Sequence, residues 1–170
     1  MPARSAPATA IMNKNHVRRT ACGWRGLLFG AALMVAQGAL AQFTQVPAPQ
    51  VQGTPRPSTA EIETEFRIDA ARHIYAAYPM RIYRGKLPPL LYGIMMVETE
   101  IDATGQVLNV NVIRKPAADE IAPWVLAMVR RASPFPAPGA MRGSTVKFTE
   151  TWFVDKSGLF QLHSLTEGQR

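Results

Sequence analysis

The sequence predicts an α+β domain in which a small antiparallel sheet of three to four strands carries two helices on one face. Two stretches have apolar residues at helical spacing, four stretches alternate apolar with polar residues, and turn signals separate them. Their order is helix, strand, strand, helix, strand, strand. Each helix has one apolar stripe, so packing both on one face of one sheet is the simplest arrangement.

The first 41 residues have the features of an export signal. They contain five basic residues and no acidic one, and the apolar run GLLFGAALMVAQGALA ends in Ala39-Leu40-Ala41. A basic start, a short apolar run and a small-residue cleavage site are typical of a secretory signal peptide. A membrane span needs about 20 apolar residues. We therefore predict a signal peptide at 1–41, with an uncleaved anchor at 26–41 as the alternative.

Charge and cysteine content exclude several classes of function. The leader holds +5 of the formal net charge of +7, and residues 42–170 hold 14 basic and 12 acidic residues. The high isoelectric point therefore does not predict nucleic-acid binding, which needs basic charge gathered on a folded face. Cys22 is the single cysteine and lies in the leader. The mature chain accordingly has no thiol nucleophile, disulfide or zinc-thiolate site.

A proline-rich segment at 42–58 precedes the folded domain, which we place at 59–165, with a tail at 166–170. The segment QFTQVPAPQVQGTPRPS contains four prolines and little apolar bulk. These features predict a linker with polyproline II character, which would reach about 50 Å if fully extended.

Helix signals begin at Ser58. Ser58 and Glu61 fit a capping box, and apolar residues at helical spacing predict a helix over 59–77 that ends at Tyr78-Pro79. Residues 80–91 contain Gly85 and a Pro-Pro pair, so we predict a connection without regular structure.

A β-hairpin follows this connection. Strands are predicted at 92–102 and 106–114, joined by a tight turn that ends at Gly105. Charges occur on one face of the first strand alone, which predicts that the other face packs inward. That inner face consists of Met95, Val97, Thr99 and Ile101.

The second helix opens at Asp119, and a proline-rich stretch ends it. Its apolar stripe recurs at helical spacing, and Arg130 and Arg131 in the last turn suit the helix dipole. In the stretch SPFPAP, Pro134 cannot continue the helix, and the flanking prolines hold Phe135 in position to point into the core. Strands are then predicted at 144–155 and 159–165.

This pattern resembles the C-terminal domain of TonB, the periplasmic energy transducer, over roughly residues 75–162. The resemblance rests on three groups of residues. They are the hairpin residues Ile101, Asp102, Gly105 and Val107; the post-helix Pro134, Phe135 and Pro136; and the final-strand Val146, Phe148 and Trp152. It implies that these residues are structural. It also implies that the sheet edge binds a short extended segment of an outer-membrane receptor, which adds as a strand.

Three features differ from the TonB pattern. The leader has the form of a cleavable signal, the proline-rich segment has 17 residues instead of a long spacer, and a fourth strand would lie beside the edge that a receptor segment uses. We therefore predict a TonB-like domain used as a periplasmic module, with anchoring in the inner membrane by residues 26–41 as the alternative. The predicted partner is a protein or peptide of the cell envelope.

The candidate partner-binding residues form two groups. Phe160, Gln161 and Leu162 lie on the predicted edge strand, and Ile94 and Met96 form an apolar spot on the outer sheet face. The alternative function is a structural envelope protein that self-associates, for example as a homodimer, through the same edges.

An enzymatic function is the third hypothesis, and we predict no catalytic residue, metal or cofactor. Glu98 and Glu100 share a strand face that Glu150 could join, and His163 lies on the last strand. The competing interpretation is a solvated face on which Lys147 or Arg114 offsets the acidic charge, with His73 as a satisfied core histidine. Two histidines and no cysteine after the leader argue against a zinc site.

Overall fold

The structure is a computed structural model, and it describes residues 41–169 except 52, 142 and 144. The predicted leader falls outside the described residues apart from its last position. The elements are α1 (Ala41–Thr44), α2 (Glu63–Ala77), β1 (Gly93–Asp102), β2 (Val107–Arg114), α3 (Ile121–Arg131), β3 (Thr145–Val154) and β4 (Phe160–Leu162), with 3₁₀ turns at Pro79–Arg81 and His163–Leu165.

One antiparallel four-stranded sheet confirms the predicted α+β class. The strand order is β2-β1-β3-β4. β1 pairs with β3 from end to end, whereas β4 pairs with the last three residues of β3, Trp152–Val154. The hairpin β1–β2 contains two register shifts, one near each end. β1 is therefore the centre of the sheet, and β2 and β4 are its edges.

The core lies between one sheet face and the two long helices. The predicted inner face of β1 is confirmed, because its four side chains are all at most 2% exposed. α2 packs mainly on β3, and α3 packs on β2 and β1. Trp124 of α3 and Trp152 of β3 are among the largest fully buried side chains.

The proline-rich stretch after α3 closes the core, as predicted. Phe135 is fully buried, and its ring centroid lies 5.7 Å from that of Phe148. Its amide donates to the carbonyl oxygen of Gly105 at 2.8 Å, so the stretch is attached to the hairpin turn. The Ser133–Pro134 peptide bond is cis.

The predicted start of the first long helix is wrong by about one turn. α2 begins at Glu63, and Ile62 precedes it without a side-chain cap. The Ser58 hydroxyl accepts the Ala60 amide at 3.1 Å and donates to Asp69 at 2.7 Å. Ser58 therefore ties the incoming chain to the side of α2 instead of capping its end.

The segment 42–58, which we predicted to be a linker, packs against the domain through its first residues. Phe43 is 6% exposed and contacts Tyr92 and Trp124, with ring centroids at 5.6 and 5.3 Å. The Trp124 indole N–H donates to the carbonyl oxygen of Gln45 at 3.2 Å. An extended backbone leaves its carbonyls unpaired, and here such groups accept hydrogen bonds from the domain.

Candidate functional site

The β4 edge, where we predicted partner binding, is closed. Phe160, Gln161 and Leu162 are each at most 1% exposed. The connection at 80–91, between α2 and β1, returns to this edge, where the Tyr83 amide donates to the carbonyl oxygen of Phe160 at 2.9 Å. The Leu162 amide donates to the Tyr75 hydroxyl at 3.1 Å. The Phe160 carbonyl and the Leu162 amide, which a partner strand would need, are thus already paired, and this corrects the expectation that the β4 edge is open.

Gln161 fastens the returning connection to the edge. Its amide nitrogen donates to the carbonyl oxygens of Tyr83 and Gly85 at 2.9 and 2.7 Å. Its amide oxygen accepts the Thr166 hydroxyl at 2.7 Å. Gln161 therefore has a structural role, because its polar groups hold two chain segments together.

The predicted outer-face spot exists and is larger than predicted. Ile94 and Met96 are half-buried on the outer face of β1, and Phe153 of β3 lies directly opposite Ile94. The sequence could have identified Phe153 as part of this spot. Side chains alternate along a strand, so Phe153 must point outward because Trp152 and Val154 on either side of it point inward.

The first part of β3 also forms a free stretch of edge, which acidic side chains cover. β4 begins opposite Trp152, so Thr145–Thr151 has no strand outside it in the described part of the chain. The Thr149 amide donates to the Glu63 carboxylate at 3.4 Å, and the Thr151 amide donates to the Glu150 carboxylate at 2.9 Å.

Glu150 is buried below this edge. It is 3% exposed, and the oxygen that binds Thr151 also accepts the Ser164 amide at 3.3 Å. Its other carboxylate oxygen has no hydrogen-bond partner, and the same holds for the buried Arg67 Nε and Ser164 Oγ. Burial raises the pKa of Glu150, against smaller opposing effects from its hydrogen bonds and from Arg67.

The structure does not bring together the three carboxylates that the enzymatic hypothesis considered. Glu98 and Glu100 lie on the outer face of β1, whereas Glu150 lies on the inner face of β3. Glu100 forms an ion pair with Lys147 at 3.5 Å, as the interpretation of a solvated face predicted. The prediction that Glu150 could join the other two is therefore wrong.

His73 is a core residue. It is 7% exposed, and its Nε2 lies 2.7 Å from the carbonyl oxygen of Ala132. A carbonyl can only accept, so Nε2 carries the proton. Burial lowers the pKa of His73. Within the described ranges, no group of three or more histidine, cysteine or acidic residues is placed to hold a metal ion.

β2 is the edge strand that no neighbouring strand covers in the described structure. The Val110 amide binds the side-chain oxygen of Asn109 at 2.9 Å, so it points away from β1. Backbone groups alternate in direction along a strand, so the amide and carbonyl of Val112 point outward as well. The Val107 amide binds the Ser133 hydroxyl at 3.2 Å. Side chains, and no strand of the described structure, therefore accept the hydrogen bonds of the Val107 and Val110 amides on this edge.

Two exposed apolar side chains bracket the regular part of this edge. Register shifts lie on either side of the pairs formed by Asn109–Val112, and they place Leu108 and Ile113 in bulges. Both side chains are more than half exposed, at 55% and 56%. Sequence reasoning missed this site because it placed the binding edge on the last predicted strand and did not consider the second hairpin strand as an edge.

Comparison with known proteins adds no relative to this picture. No protein-family model matches the chain, and no significant match was found among curated proteins or solved structures. The resemblance to the TonB C-terminal domain thus stays a prediction. In the described part of the chain, no helix has the length and apolar character to cross a bilayer.

Proposed function

We propose that this chain is a periplasmic protein-binding module that holds an extended segment of a cell-envelope partner as an additional strand along β2. The observation that carries the proposal is that the β2 edge has outward backbone groups and that no strand among the described residues lies beside them. Main-chain hydrogen bonds supply affinity in strand addition, and neighbouring side chains supply specificity.

The exposed apolar side chains favour a binding role for this edge. Native proteins usually protect edge strands with charges, prolines or covering segments. β2 has the bulges that such protection uses, but Leu108 and Ile113 are exposed on them. A partner strand would bury both side chains while it pairs with Asn109–Val112.

The predicted export signal supports a periplasmic location, and the resemblance to the TonB C-terminal domain supports a protein-binding function. Both are features of the sequence, and the connection to TonB-dependent transport belongs to the proposal. The site differs from the one that sequence reasoning favoured, because the β4 edge is closed and the rest of the β3 edge is covered by carboxylates.

A pair of proline variants tests the proposal. Val112→Pro removes an outward amide of β2 and places a ring where a partner strand would lie, while the bonds to β1 use other residues. Thr149→Pro makes the matched change on the free part of β3. Peptides are first selected from a random displayed library on the full chain. Their binding to both variants is then measured, with circular dichroism as the check of folding.

We expect Val112→Pro to abolish binding and Thr149→Pro to leave it intact. Leu108→Ser is the second variant, for use if the proline disrupts the fold, and it should weaken binding because it removes an exposed apolar side chain that a partner strand would cover. Selected peptides that lose binding with Thr149→Pro alone would place the site on β3 and overturn the proposal. Sedimentation of wild type and Val112→Pro tests the alternative. A dimer that the proline dissociates would show that the edge pairs with a second copy.

A further inference from the structure

Basic side chains flank both ends of the β2 edge. Arg114 and Lys115 are exposed at the end of the strand. At the other end, exposed Arg130 lines an open groove of about 430 Å³ together with Ser133 and residues 106–110. A segment lying along β2 would therefore pass two cationic side chains at one end and one at the other.

These cations have no acidic partner within the structure described here. The two ion pairs observed there join Arg72 to Asp69 and Lys147 to Glu100. The neighbouring Arg131 is used differently, because it donates to the carbonyl oxygen of Val46 at 2.6 Å. No acidic residue occurs between positions 106 and 118 of the sequence.

The centre of the β2 edge differs from its ends, because acidic residues of β1 lie beside it. Glu98 of β1 lies opposite Asn111, in the middle of the regular part of β2. Glu100 lies opposite Asn109, but Lys147 offsets its charge. An acidic side chain at the centre of an added strand would thus lie two strand spacings, about 10 Å, from the Glu98 position and on a stretch with no cation beside it, whereas one at either end would lie near a cation.

From this distribution we propose that the β2 edge selects extended segments that carry an acidic side chain at each end and neutral residues between them. This inference rests on the proposed function, because the charges select a segment that main-chain pairing holds. From Leu108 to Arg114 the strand advances by about 20 Å at about 3.3 Å per residue. The two acidic residues of the partner are therefore about six positions apart.

Three synthetic peptides test this selectivity on the full chain by fluorescence anisotropy. Each has seven residues, so that its terminal residues lie six positions apart, and the same core of alternating threonine and valine. One peptide carries glutamate at both ends, the second carries glutamine there, and the third carries the two glutamates at its centre. The protein variants are Arg130→Gln and Arg114→Gln. Lys86→Gln is the control, because it removes an exposed cation from the connection beside the opposite edge.

We expect the peptide with terminal glutamates to bind about tenfold more tightly than the glutamine peptide, since exposed ion pairs each contribute about a factor of three. Arg130→Gln and Arg114→Gln should each remove about a threefold share, and Lys86→Gln should have no effect. Added salt should reduce the difference between the peptides.

The outcomes separate the two proposals. Equal binding of all three peptides, blocked by Val112→Pro, would overturn the acidic preference and leave strand addition in place. Binding of the terminal-glutamate peptide that Val112→Pro does not change would show contact by charge alone and would overturn both. No binding of any peptide, here and in the library selection, would also overturn both.

Discussion

Replacing Gly105 with alanine tests how the hairpin turn and the proline-rich stretch are joined. Gly105 has a φ of +85°, and a Cβ added there would lie 2.0 Å from the carbonyl oxygen of Phe135. Carbon and oxygen atoms normally come no closer than about 3.3 Å. One of the two backbone segments would therefore have to move by more than about 1 Å.

Gly53→Ala is the matched control for backbone conformation. Gly53 has a φ of +91°, and no atom lies within 4 Å of an added Cβ. Alanine at either position costs roughly 1–2 kcal/mol for the left-handed conformation. The difference between the variants isolates the collision with the backbone of Phe135.

The collision should lower the free energy of unfolding by about 3 kcal/mol beyond the control. Overpacking costs about 1–3 kcal/mol, and displacement weakens the 2.8 Å hydrogen bond from Phe135 to Gly105, which contributes about 1 kcal/mol. Urea denaturation followed by tryptophan fluorescence measures both variants. If Gly105→Ala and Gly53→Ala are equally stable, the attachment of the stretch to the turn does not contribute as argued.

Three further predictions concern stability. Burial raises the pKa of Glu150 in the folded protein. The contribution of Glu150 to the free energy of unfolding is therefore greatest below the pKa that this residue has in the unfolded chain, and it is lost as pH rises through the raised value. In urea titrations from about pH 4 to pH 8, Glu150→Gln should thus be more stable than wild type at neutral pH alone. A difference in free energy of unfolding between Glu150→Gln and wild type that does not change with pH would contradict this prediction. Burial raises the pKa of Tyr78 to about 12, and its hydroxyl donates to the carbonyl oxygen of Met128 at 2.8 Å. Tyr78→Phe should lower the free energy of unfolding by about 1 kcal/mol, and no loss in the same titration would refute this. Phe43→Ala should lower it by about 3 kcal/mol and expose residues 44–57 to limited proteolysis. If Phe43→Ala resists proteolysis in this segment as well as wild type does, Phe43 does not anchor the segment.

Local periodicity predicted the sheet and helices because one face of each element is buried. The alternation in β1 identified Met95 and Ile101 as core residues, and both are fully buried. The same logic applied to β3 would have placed Glu150 inward with Phe148 and Trp152. The inward orientation of Glu150 was not predicted because a carboxylate was assumed to face solvent.

Contacts between residues far apart in the sequence could not be predicted from local patterns. Phe43 is the sole aromatic residue in the proline-rich segment, and nothing local indicates that Tyr92 and Trp124 receive it. The closure of β4 depends on Tyr83 returning to Phe160 from 77 positions earlier. Edge exposure depends on what lies outside a strand, so a strand pattern does not predict it.

The two remaining stretches of free edge differ in charge, and this difference decides between them for an acidic partner. On β3, the outward amides at Thr149 and Thr151 already bind the carboxylates of Glu63 and Glu150. An incoming acidic segment would have to displace groups of its own charge there. On β2, the neutral side chain of Asn109 covers the Val110 amide, and cations lie at both ends. Main-chain hydrogen bonds are the same on either edge, so side-chain charge alone separates them. A basic segment should show the reverse preference, and its binding should then depend on Thr149 instead of Val112.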